Sequence, residues 1–492
     1  MKKGHRPNGR RPLPIYQVKH STLPTKTQQY WVIHTCMATF SIIQKSQLEG
    51  AHRLDAEYYQ PEYLALEQKF TMLETKTLEQ ISKSVISFGA YSLTSHIEWQ
   101  ESGVPYINVG DVHDGYIDLS SVKYISEKVN EILKKSKVNN GQVLLTMAGT
   151  IGNAAIAHNL PRSANANQAI AKITPLDTMS PYYLTAFLNS KYGLLQTQRE
   201  IVSSVQANIF LGQIKKFKIP IFDQKVTQQI GDTYKYFLHE LENSKSLYTQ
   251  AEQLLLEELG LKDFTTDGDL YSIINFSDIE NAHRMDAEYF QPKYKKLLAK
   301  LRSDKASSLE EVFDNVLAKF NTLVQPDKSF NYVELSNINS AIGTIDGFTK
   351  VLGKEAPSRA KRVLKAGDVI VSSVEGSLGK VALVTQEQEG YLASTGFFQF
   401  RSDEVLPEVL LVIAKSFIVQ NQLTQRCAGT ILTAVPKESI KDILIPILPR
   451  AAQQKIAELV RQSHEARIKA KELLEEAKQK VEQLIEKGGE RG

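Results

Sequence analysis

The chain has 492 residues, of which 42% are hydrophobic and 23% are charged, and its formal net charge at pH 7 is +4. Such a chain can bury folded cores in roughly three domains, and no run approaches the about 18 apolar residues of a membrane span. The two cysteines, Cys36 and Cys427, argue against a disulfide framework or a cysteine metal site and favour a reducing, cytoplasmic location.

Residues 1–39 differ from the rest of the chain. They carry seven lysines and arginines, no acidic residue and no apolar periodicity. A basic arm that binds DNA is one interpretation. We favour a disordered or mis-assigned extension with Met37 as the start of the protein, because the repeat described next begins at Phe40.

A duplication dominates the remaining sequence. Residues 40–63 (FSIIQKSQLEGAHRLDAEYYQPEY) and 271–294 (YSIINFSDIENAHRMDAEYFQPKY) are identical at 15 of 24 positions. Further matches follow at an offset of 226 residues, such as Pro220 with Pro446 and Gly141 with Gly367. Solenoid and propeller repeats are only about 20 to 50 residues long, so whole domains are duplicated here. Two copies in one chain have the pseudo-symmetry of a dimer, which suits a two-part target.

The elements of one repeat follow from periodicity and turn residues. In chain order we expect a strand at Phe40–Leu48, helices at Ala56–Phe70 and Thr77–Ser84, a strand at Val104–Val109, a hairpin of Gly141–Thr146 with Ala154–His158, a helix at Pro181–Thr197 and a strand at Pro220. The equivalents in the second repeat are Phe330–Leu335, Gly367–Ser373, Val381–Val384, Pro407–Thr424 and a strand at Pro446. Each repeat is therefore predicted to be an α+β domain with short strands.

A long helix is predicted after each repeat. Spacings of three and four residues, typical of a coiled-coil seam, connect Ile230, Tyr234, Phe237, Leu241, Ser244, Tyr248, Ala251 and Leu255 in the first, and Ile456, Val460, Ser463, Arg467, Ala470, Leu474, Ala477, Val481 and Leu484 in the second. Ser463 and Arg467 are poor seam residues. The simplest arrangement packs the two helices against each other, with the repeats held at opposite ends.

Catalytic signatures are missing from the sequence. The glycine pairs Gly149/Gly152 and Gly376/Gly379 do not form a GxxxxGK[ST] phosphate loop, so hairpin turns are the better interpretation. No GxGxxG motif follows a strand, and the sequence has neither HExxH nor CxxC nor the Asn/Asp-Pro-Pro-Tyr/Phe tetrapeptide of amino-methyltransferases. We expect no metal and no cofactor, and conclude that the chain is a binding protein.

The duplicated His-Arg-x-Asp-Ala-Glu segment invites a catalytic or metal-binding interpretation. Asp and Glu two residues apart point to different sides of a helix, however, and a histidine three residues before the aspartate is no established ligand spacing. We expect Asp55 and Asp286 to cap the following helix, and Arg53 and Arg284 to be held by a nearby carboxylate.

Polar loops provide the candidate DNA contacts, because amides, hydroxyls and cations can bind base edges and phosphates. A solvated loop is the alternative for each residue alone. The candidates in the first repeat are Ser87, Tyr91, Asn165, Asn167, Gln168, Ser203, Ser204, Gln206, Asn208 and Lys215. Those in the second are Lys319, Asn321, Arg359, Lys361, Arg362, Arg426 and Thr430. Similar frames with different polar loops indicate two different half-site sequences.

Several segments together resemble the specificity (S) subunits of Type I restriction–modification systems, over essentially residues 40–487. They are the RxDAEYYQPxY opening at Arg53–Tyr63 and Arg284–Tyr294, the strands at Gly141–Leu145 and Gly367–Val371, the segments Ile214–Ile221 and Ile440–Ile447, and the glutamine pairs Gln228-Gln229 and Gln453-Gln454 before each long helix. The first repeat departs from the pattern at residues 209–212, and the basic N-terminus has no place in it.

The resemblance implies two tandem, pseudo-symmetric target-recognition domains joined by two long helices that pair as an antiparallel coiled coil. It also implies double-stranded DNA, two methyltransferase (M) subunits and restriction/translocase (R) subunits as partners, with no catalysis by this chain and no membrane association. The resulting division is an extension at 1–39, recognition domains at 40–222 and 271–447, helical spacers at 223–260 and 448–487, a linker at 261–270 and a tail at 488–492. The expected framework residues are Arg53, Asp55, Arg284, Asp286, Ile230, Phe237, Leu241, Leu255, Ile456, Leu474 and Val481.

Geometry supports a ruler. Thirty helical residues rise about 45 Å, which holds two domains a little more than one DNA turn of about 34 Å apart. The expected target is an asymmetric site with two short half-sites and a fixed, unread gap. The alternative is an antirestriction or scaffold protein that mimics the subunit and binds its partners without reading DNA.

Overall fold

A computed structural model describes residues 41–43, 48, 51, 53–87, 97–120, 122–160, 162–203, 207–265, 271–303, 306–429 and 433–488. The extension at 1–39 and most of the strand expected at Phe40–Leu48 lie outside these residues. Residues Glu62–Gly492 form one compact unit, and the described residues up to Pro61 belong to a separate one. No helix in the described part of the chain is both long enough and apolar enough to span a membrane.

The helices are numbered in chain order. They are α1 (Pro61–Thr71), α2 (Glu127–Ile132), α3 (Pro181–Asn189), α4 (Lys191–Glu200), α5 (Leu211–Ile214), α6 (Gln224–Glu258), α7 (Phe276–Ala282), α8 (Pro292–Ser303), α9 (Leu309–Val312), α10 (Pro407–Lys415), α11 (Phe417–Arg426) and α12 (Arg450–Gly488). Short 3-10 helices occur at Ala56–Tyr59, Val109–Asp111, Lys134–Ser136, Thr322–Val324, Leu335–Asn337, Gln386–Gln388 and Lys437–Ile440.

The strands are numbered in the same way. In the first repeat they are β1 (Thr75–Thr77), β2 (Ser82–Ile86), β3 (Trp99–Gln100), β4 (Val104–Ile107), β5 (Lys123–Ile125), β6 (Lys137–Val138), β7 (Val143–Thr146), β8 (Ala154–Ile156), β9 (Ala164–Ala166), β10 (Ile170–Pro175), β11 (Val202–Ser203), β12 (Ala207–Asn208) and β13 (Lys218–Pro220). In the second they are β14 (Ser307–Ser308), β15 (Asp314–Asn315), β16 (Ser329–Val333), β17 (Ile338–Asn339), β18 (Thr344–Ile345), β19 (Thr349–Leu352), β20 (Ala360–Val363), β21 (Val369–Ser372), β22 (Val381–Leu383), β23 (Leu392–Ser394), β24 (Phe397–Arg401) and β25 (Leu444–Ile445).

The two repeats share a topology, except that the mixed sheet of the first has an additional edge strand, β3. Each has a four-stranded antiparallel sheet, in the order β2-β10-β7-β8 in the first and β15-β24-β21-β22 in the second. Each also has a mixed sheet, in which β4 pairs in parallel with β9 and β16 pairs in parallel with β23. The equivalent pairs β1–β13 and β14–β25 close the repeats. The prediction of two α+β domains is confirmed.

The two long helices lie side by side and run in opposite directions. Ser463 of α12 donates its hydroxyl to the Ser244 carbonyl of α6 at 2.7 Å. Further along α12, Lys469 binds Glu240 at 2.7 Å and Lys480 donates to Thr233 at 3.0 Å. Partner numbers on α6 fall as those on α12 rise, so the helices are antiparallel.

Each repeat packs on one end of this helix pair. The core of the first contains Ile230 and Phe237 from the start of α6 together with Leu474 and Val481 from the far end of α12. The core of the second contains Leu255 and other residues from the end of α6, together with Ile456 and its neighbours at the start of α12. The predicted seam is buried, as the 3.5-residue period requires, except that Arg467 is partly exposed and Ile485 is buried in place of Leu484.

Some predicted elements differ from the structure. The helix expected at Thr77–Ser84 is wrong, because β1 and β2 pair with distant strands, and such pairing overrides local propensity. The single helix expected at Pro181–Thr197 is broken at Ser190, whose extended backbone (ψ 164°) starts a second helix and whose hydroxyl accepts from Gly193. Ser416 breaks the equivalent helix of the second repeat with a similar backbone. The glycine pairs do form turns, between β7 and β8 and between β21 and β22.

Candidate nucleic-acid interface

A basic patch lies at the edge strand of the mixed sheet in the second repeat. It comprises Lys319, Asn321, Arg359 and Lys361, whose side chains are exposed. A backbone hydrogen bond from the Phe320 N–H to the Lys361 carbonyl at 3.0 Å joins its two segments, and another from the Lys361 N–H to the Arg359 carbonyl at 2.9 Å lies within the second. Three cations and an amide thus share one surface, the chemistry that binds phosphates and base edges.

Apolar contacts beneath the patch fix the segment that carries Lys319 and Asn321. The Phe320 ring packs edge-on against Phe330, with 5.7 Å between ring centroids. The side-chain oxygen of Asn321 accepts a hydrogen bond from the Leu323 N–H at 3.1 Å, which caps a short 3-10 turn. The two candidates are therefore presented on an ordered turn.

Arg362 is not part of this patch, contrary to the expectation that it contacts DNA. Its side chain is 2% exposed and donates a hydrogen bond to the Val316 carbonyl. Burial lowers its pKa to about 10. Successive strand residues point to opposite faces, so Arg362 lies beneath the exposed Lys361 and holds the preceding segment in place.

Arg426 is also used inside the protein. Its guanidinium donates to the Ser439 carbonyl at 2.7 Å, to the Gln422 carbonyl at 3.0 Å and to the Asp442 carbonyl at 3.2 Å. These bonds tie the end of α11 to Ser439 and Asp442, which follow the polar loop between α11 and β25. Arg426 therefore has a role in positioning that loop, and its contact with DNA stays a prediction.

Asn165 in the first repeat is fully buried, which contradicts its assignment to a surface loop. Its oxygen accepts from the Ser136 hydroxyl at 2.6 Å, and its amide group donates to Asn130 at 3.1 Å and to the Leu133 carbonyl at 3.2 Å. A buried amide needs such partners. Asn165 therefore ties β9 to the segment before β6.

Other candidates among the described residues of the first repeat are closer to the surface. Asn167 and Gln168 are half-buried, and the Asn167 side chain accepts from the Ala169 N–H at 2.9 Å. Ser87 follows β2 and is half-buried, Asn208 lies in β12, and Lys215 pairs with Glu79 at 3.0 Å. Ser203 lies in β11, whereas Tyr91, Ser204, Gln206 and Thr430 lie outside the described residues.

Sequence reasoning missed two lysines of the first repeat. Lys134 and Lys135 are exposed and lie just before β6, the strand equivalent to β20. The signal was present, because Lys135 and Lys361 are 226 residues apart, the offset that relates other matching positions of the two copies. An equivalent edge of each mixed sheet therefore carries exposed cations, with different residues in the two copies.

The duplicated arginine–aspartate motif forms an ion pair in both copies. Arg53 binds Asp55 through two nitrogens, and Arg284 binds Asp286 in the same forked way. Asp55 makes no side-chain hydrogen bond to the following turn, so it does not cap it as expected. Asp286 also binds its arginine, and that hydrogen bond raises the pKa of Arg284.

Arg284 also positions a polar loop. Its Nη1 donates to the Cys427 carbonyl at 2.9 Å, at the start of the loop that separates α11 from the closing strand. Cys427 is buried, which raises the pKa of its thiol to about 11 and makes that thiol a poor nucleophile. Among the described residues, no group of three or more metal-ligating side chains occurs. The motif thus has a structural role in the described part of the second repeat.

Comparison with known proteins identifies the class of domain to which both repeats correspond. The family model described as "Type I restriction modification DNA specificity domain" matches residues 72–253 and again residues 307–482. The chain therefore belongs to the family of Type I restriction–modification specificity proteins and carries two copies of its domain.

Individual relatives are distant. A segment of 125 residues is 28% identical to the Type I restriction enzyme EcoBI specificity subunit of Escherichia coli, and it spans 25% of this chain and 26% of that protein. Among solved structures, the chain is similar to the S subunit of a Type I restriction–modification system from M. genitalium (15% identity, TM-score 0.38, 84% of this chain and 95% of that one). It is also similar to the HsdS subunit from Thermoanaerobacter tengcongensis (13% identity, TM-score 0.27, 85% and 96%).

Proposed function

We propose that this chain is the DNA-recognition subunit of a Type I restriction–modification complex and reads an asymmetric, bipartite site. Each repeat reads one half-site, and the helix pair sets the unread gap between them. The observation that carries this proposal is the combination of one topology, repeated at opposite ends of an antiparallel helix pair, with cationic edges that differ between the copies.

The basic edges support DNA as the target. Lys319, Arg359 and Lys361 are exposed on one edge, and Lys134 and Lys135 are exposed on the equivalent edge of the first repeat. Cations of this kind neutralise phosphates and fix the register of a protein on DNA, while neighbouring amides and hydroxyls read base edges. Different side chains on equivalent frames account for two different half-sites.

The helix pair supports a coiled-coil ruler. Helix α6 contains 35 residues and α12 contains 39, which corresponds to about 50 to 60 Å at 1.5 Å per residue. Along each helix, the buried residues recur at the three- and four-residue spacings of a coiled coil. Such a pair is stiff enough to keep two half-sites at a constant separation.

The proposed complex includes two methyltransferase subunits and restriction/translocase subunits as partners, and this chain contributes recognition and assembly without catalysis. Base methylation, ATP use and DNA cleavage belong to those partners. A cytoplasmic location, where the chain can reach chromosomal DNA, follows from this role.

Methylome sequencing tests the proposal. The chain is expressed with its methyltransferase subunit in a host that lacks other modification systems, and we expect one methylated motif with two specific halves and a constant gap. A folded complex that leaves the DNA unmethylated at any such motif would favour a mimic that binds its partners without reading DNA. A motif without a gap would contradict one half-site per repeat.

A deletion tests the ruler. Removing one heptad from α6 should shorten the gap in the methylated motif. The exposed residue Gln253 lies on the same helix, and its substitution by alanine is the matched control that should leave the gap unchanged. The ruler is contradicted if the deletion variant methylates the original motif with its original gap.

A further inference from the structure

Arg467 is an anomaly in the helix pair. It occupies a seam position of α12, four residues after Ser463 and three before Ala470, both of which are fully buried. Such positions are normally apolar because they face the partner helix. The Arg467 side chain is 16% exposed, so its charged end leaves the seam and reaches a polar region.

The guanidinium of Arg467 contacts both repeats. Its Nη2 donates to the Tyr116 hydroxyl of the first repeat at 3.1 Å and to the Asp346 carboxylate of the second at 2.9 Å. The guanidinium also lies over the Tyr116 ring, 5.1 Å from its centroid. One side chain of the helix pair therefore bridges the two repeats.

The two groups that Arg467 binds lie on equivalent hairpins. In the first repeat, Val112 bridges Ile117, and Tyr116 precedes that residue. In the second, β17 pairs with β18, and Asp346 directly follows β18. The arginine thus connects the corresponding hairpins of the pseudo-symmetric halves, close to the middle of the helix pair.

The Tyr116 and Asp346 side chains are also held by contacts other than those with Arg467. The Tyr116 ring stacks on His113, with 4.9 Å between centroids and an angle of 15°. Asp346 accepts hydrogen bonds from Asn339 at 3.0 Å and from Thr344 at 2.7 Å. Burial alone would raise the pKa of Asp346, but Arg467 and these donors lower it. The bridge therefore joins two ordered hairpins.

The other long helix makes a related contact that stays within one repeat. Asp118, at the position equivalent to Asp346, binds Lys245 of α6 at 3.1 Å. Lys245 also lies 6.0 Å from the centroid of the Tyr116 ring. A lysine ammonium is a compact point charge, whereas a planar guanidinium can stack on an aromatic ring while it donates hydrogen bonds. Arg467 makes both hydrogen bonds through Nη2 while its guanidinium lies over the Tyr116 ring, and this combination lets position 467 span the repeats.

A polar cleft separates the repeats beside the bridge. It has a volume of about 350 Å³ and is lined by both repeats, with Asp111 and Asp118 on one side and Asn337 and Lys380 on the other. Apolar packing does not fill this region. A change in the angle between the repeats would open or close the cleft at small cost unless a specific contact opposed it.

We propose that Arg467 is a positioning residue that fixes the two recognition domains relative to each other and thereby sets how strictly the gap between the half-sites is enforced. This inference rests on the proposed bipartite reading of DNA. The helix pair sets the mean length of the gap, and the Arg467 bridge narrows the range of gaps that the protein accepts.

Methylation of DNA with altered gaps tests the inference. The complex of the full chain with its methyltransferase subunit is assayed on the native site and on sites whose gap is one base pair longer or shorter. We expect Arg467→Ala to reduce the preference for the native gap by about fivefold, as for the loss of one coupled contact. Arg467→Lys should keep the fold and most of the activity on the native site but lose the same preference, because an ammonium cannot replace a planar guanidinium that lies over the Tyr116 ring while it binds both repeats.

The matched control removes a cation from the same helix without touching the bridge. Lys469 is exposed and binds Glu240 of α6, so Lys469→Ala should keep the native preference. A general loss of stability would lower methylation equally at every gap. The inference is overturned if Arg467→Lys keeps the wild-type preference, or if Lys469→Ala loses it to the same extent.

A measurement without DNA separates this inference from the proposed function. Spin labels are placed at Lys128→Cys and Glu355→Cys, two exposed positions in different repeats, in a Cys36→Ser background, and the distance distribution is recorded by pulsed electron resonance. We expect a narrow distribution that broadens in Arg467→Ala and Arg467→Lys and stays narrow in Lys469→Ala. An unchanged width in both arginine variants overturns the bridge even if a bipartite motif is found. If the arginine variants broaden the distribution but no bipartite motif is found, the bridge is supported and the proposed function is wrong. The claim that Arg467 controls the gap is then overturned.

Discussion

Lys361 and Arg362 are consecutive residues of β20 whose side chains have opposite environments. Lys361 is exposed, whereas Arg362 is 2% exposed and donates to the Val316 carbonyl beneath the basic patch. Two neighbouring cations therefore have separable roles. One can bind a phosphate, and the other supports the segment that carries Lys319 and Asn321.

This pair gives the first prediction. Arg362→Ala should lower the free energy of unfolding by about 2 kcal/mol or more, because it leaves a cavity and a carbonyl without its donor. Lys361→Ala should change stability by less than about 0.5 kcal/mol while weakening DNA binding and reducing the salt dependence of affinity by about one phosphate contact. Urea unfolding and DNA titrations at several salt concentrations measure both effects. Equal stability of the two variants would show that Arg362 does not support the patch.

Asn165 and Gln168 form a second matched pair. Asn165 is buried with three hydrogen-bond partners, and Gln168 lies three residues later at half burial. Asn165→Ala should cost about 1 to 3 kcal/mol, because the Ser136 hydroxyl and the Asn130 side chain lose a partner inside the protein. Gln168→Ala should leave the urea midpoint nearly unchanged and alter only DNA affinity. A stable Asn165→Ala variant with weakened DNA binding would restore the original surface assignment.

Alanine substitutions at Gly343 and Gly376 distinguish the cost of backbone strain from the cost of steric overlap. Both have left-handed backbones, with φ values of 72° and 75°, so alanine costs about 1 kcal/mol at either position. A Cβ at Gly343 would lie 2.5 Å from the Cδ1 atom of the buried Leu411, whereas no atom lies within 4 Å of one at Gly376. Gly343→Ala should therefore be more destabilising by about 1 to 3 kcal/mol.

A double variant checks the cause of that difference. Adding Leu411→Ala removes the atoms that collide with the new Cβ, so Gly343→Ala should cost less in the Leu411→Ala background than in the wild type. Strictly additive effects would mean that the cost at Gly343 comes from the backbone alone.

The Arg467–Asp346 contact predicts a pH dependence. The pKa of Asp346 is lowered in the folded protein, so its ion pair stabilises the fold above the ordinary aspartate pKa of about 3.9 and loses this effect as pH falls through the folded-state pKa. Asp346→Asn should be less stable than the wild type at pH 7 by about 0.5 kcal/mol, a small value because the carboxylate is about a third exposed. Urea midpoints of both proteins should converge as the pH falls from 7 to about 3.

The control for this pH series is an exposed ion pair. Asp177 binds Lys83 at 2.6 Å, but its side chain is 90% exposed, so Asp177→Asn should show no difference from the wild type at either pH. If the urea midpoints of the wild type and Asp346→Asn still differ at acidic pH, the substitution acts through packing and not through charge.

The long helices and the duplication could be predicted from sequence because their signals are local or repeated. A seam period extends over many turns, and the duplicated RxDAEY segment is visible without any structure. The burial of Asn165 and Arg362 and the internal hydrogen bonds of Arg426 could not be predicted, because distant carbonyls and amides determine them. From sequence alone, each of these polar side chains is as compatible with a surface position as with a buried one.

Arg467 is another residue whose contacts could not be predicted from sequence. A poor seam residue could be recognised from its position, but its partners Tyr116 and Asp346 lie 351 and 121 residues away in sequence. Lys134 and Lys135 could have been found by aligning the two copies beyond their most similar segment.

The strand pairs that close the repeats place chain entry beside chain exit. Thr75–Thr77 pairs with Lys218–Pro220 at the first repeat, and Ser307–Ser308 pairs with Leu444–Ile445 at the second. A segment whose two ends meet at one point can be replaced by another of different length or sequence while the helices on which it sits keep their alignment. If the proposed function holds, exchange of one repeat should change one half of the target sequence and leave the gap between the halves unchanged.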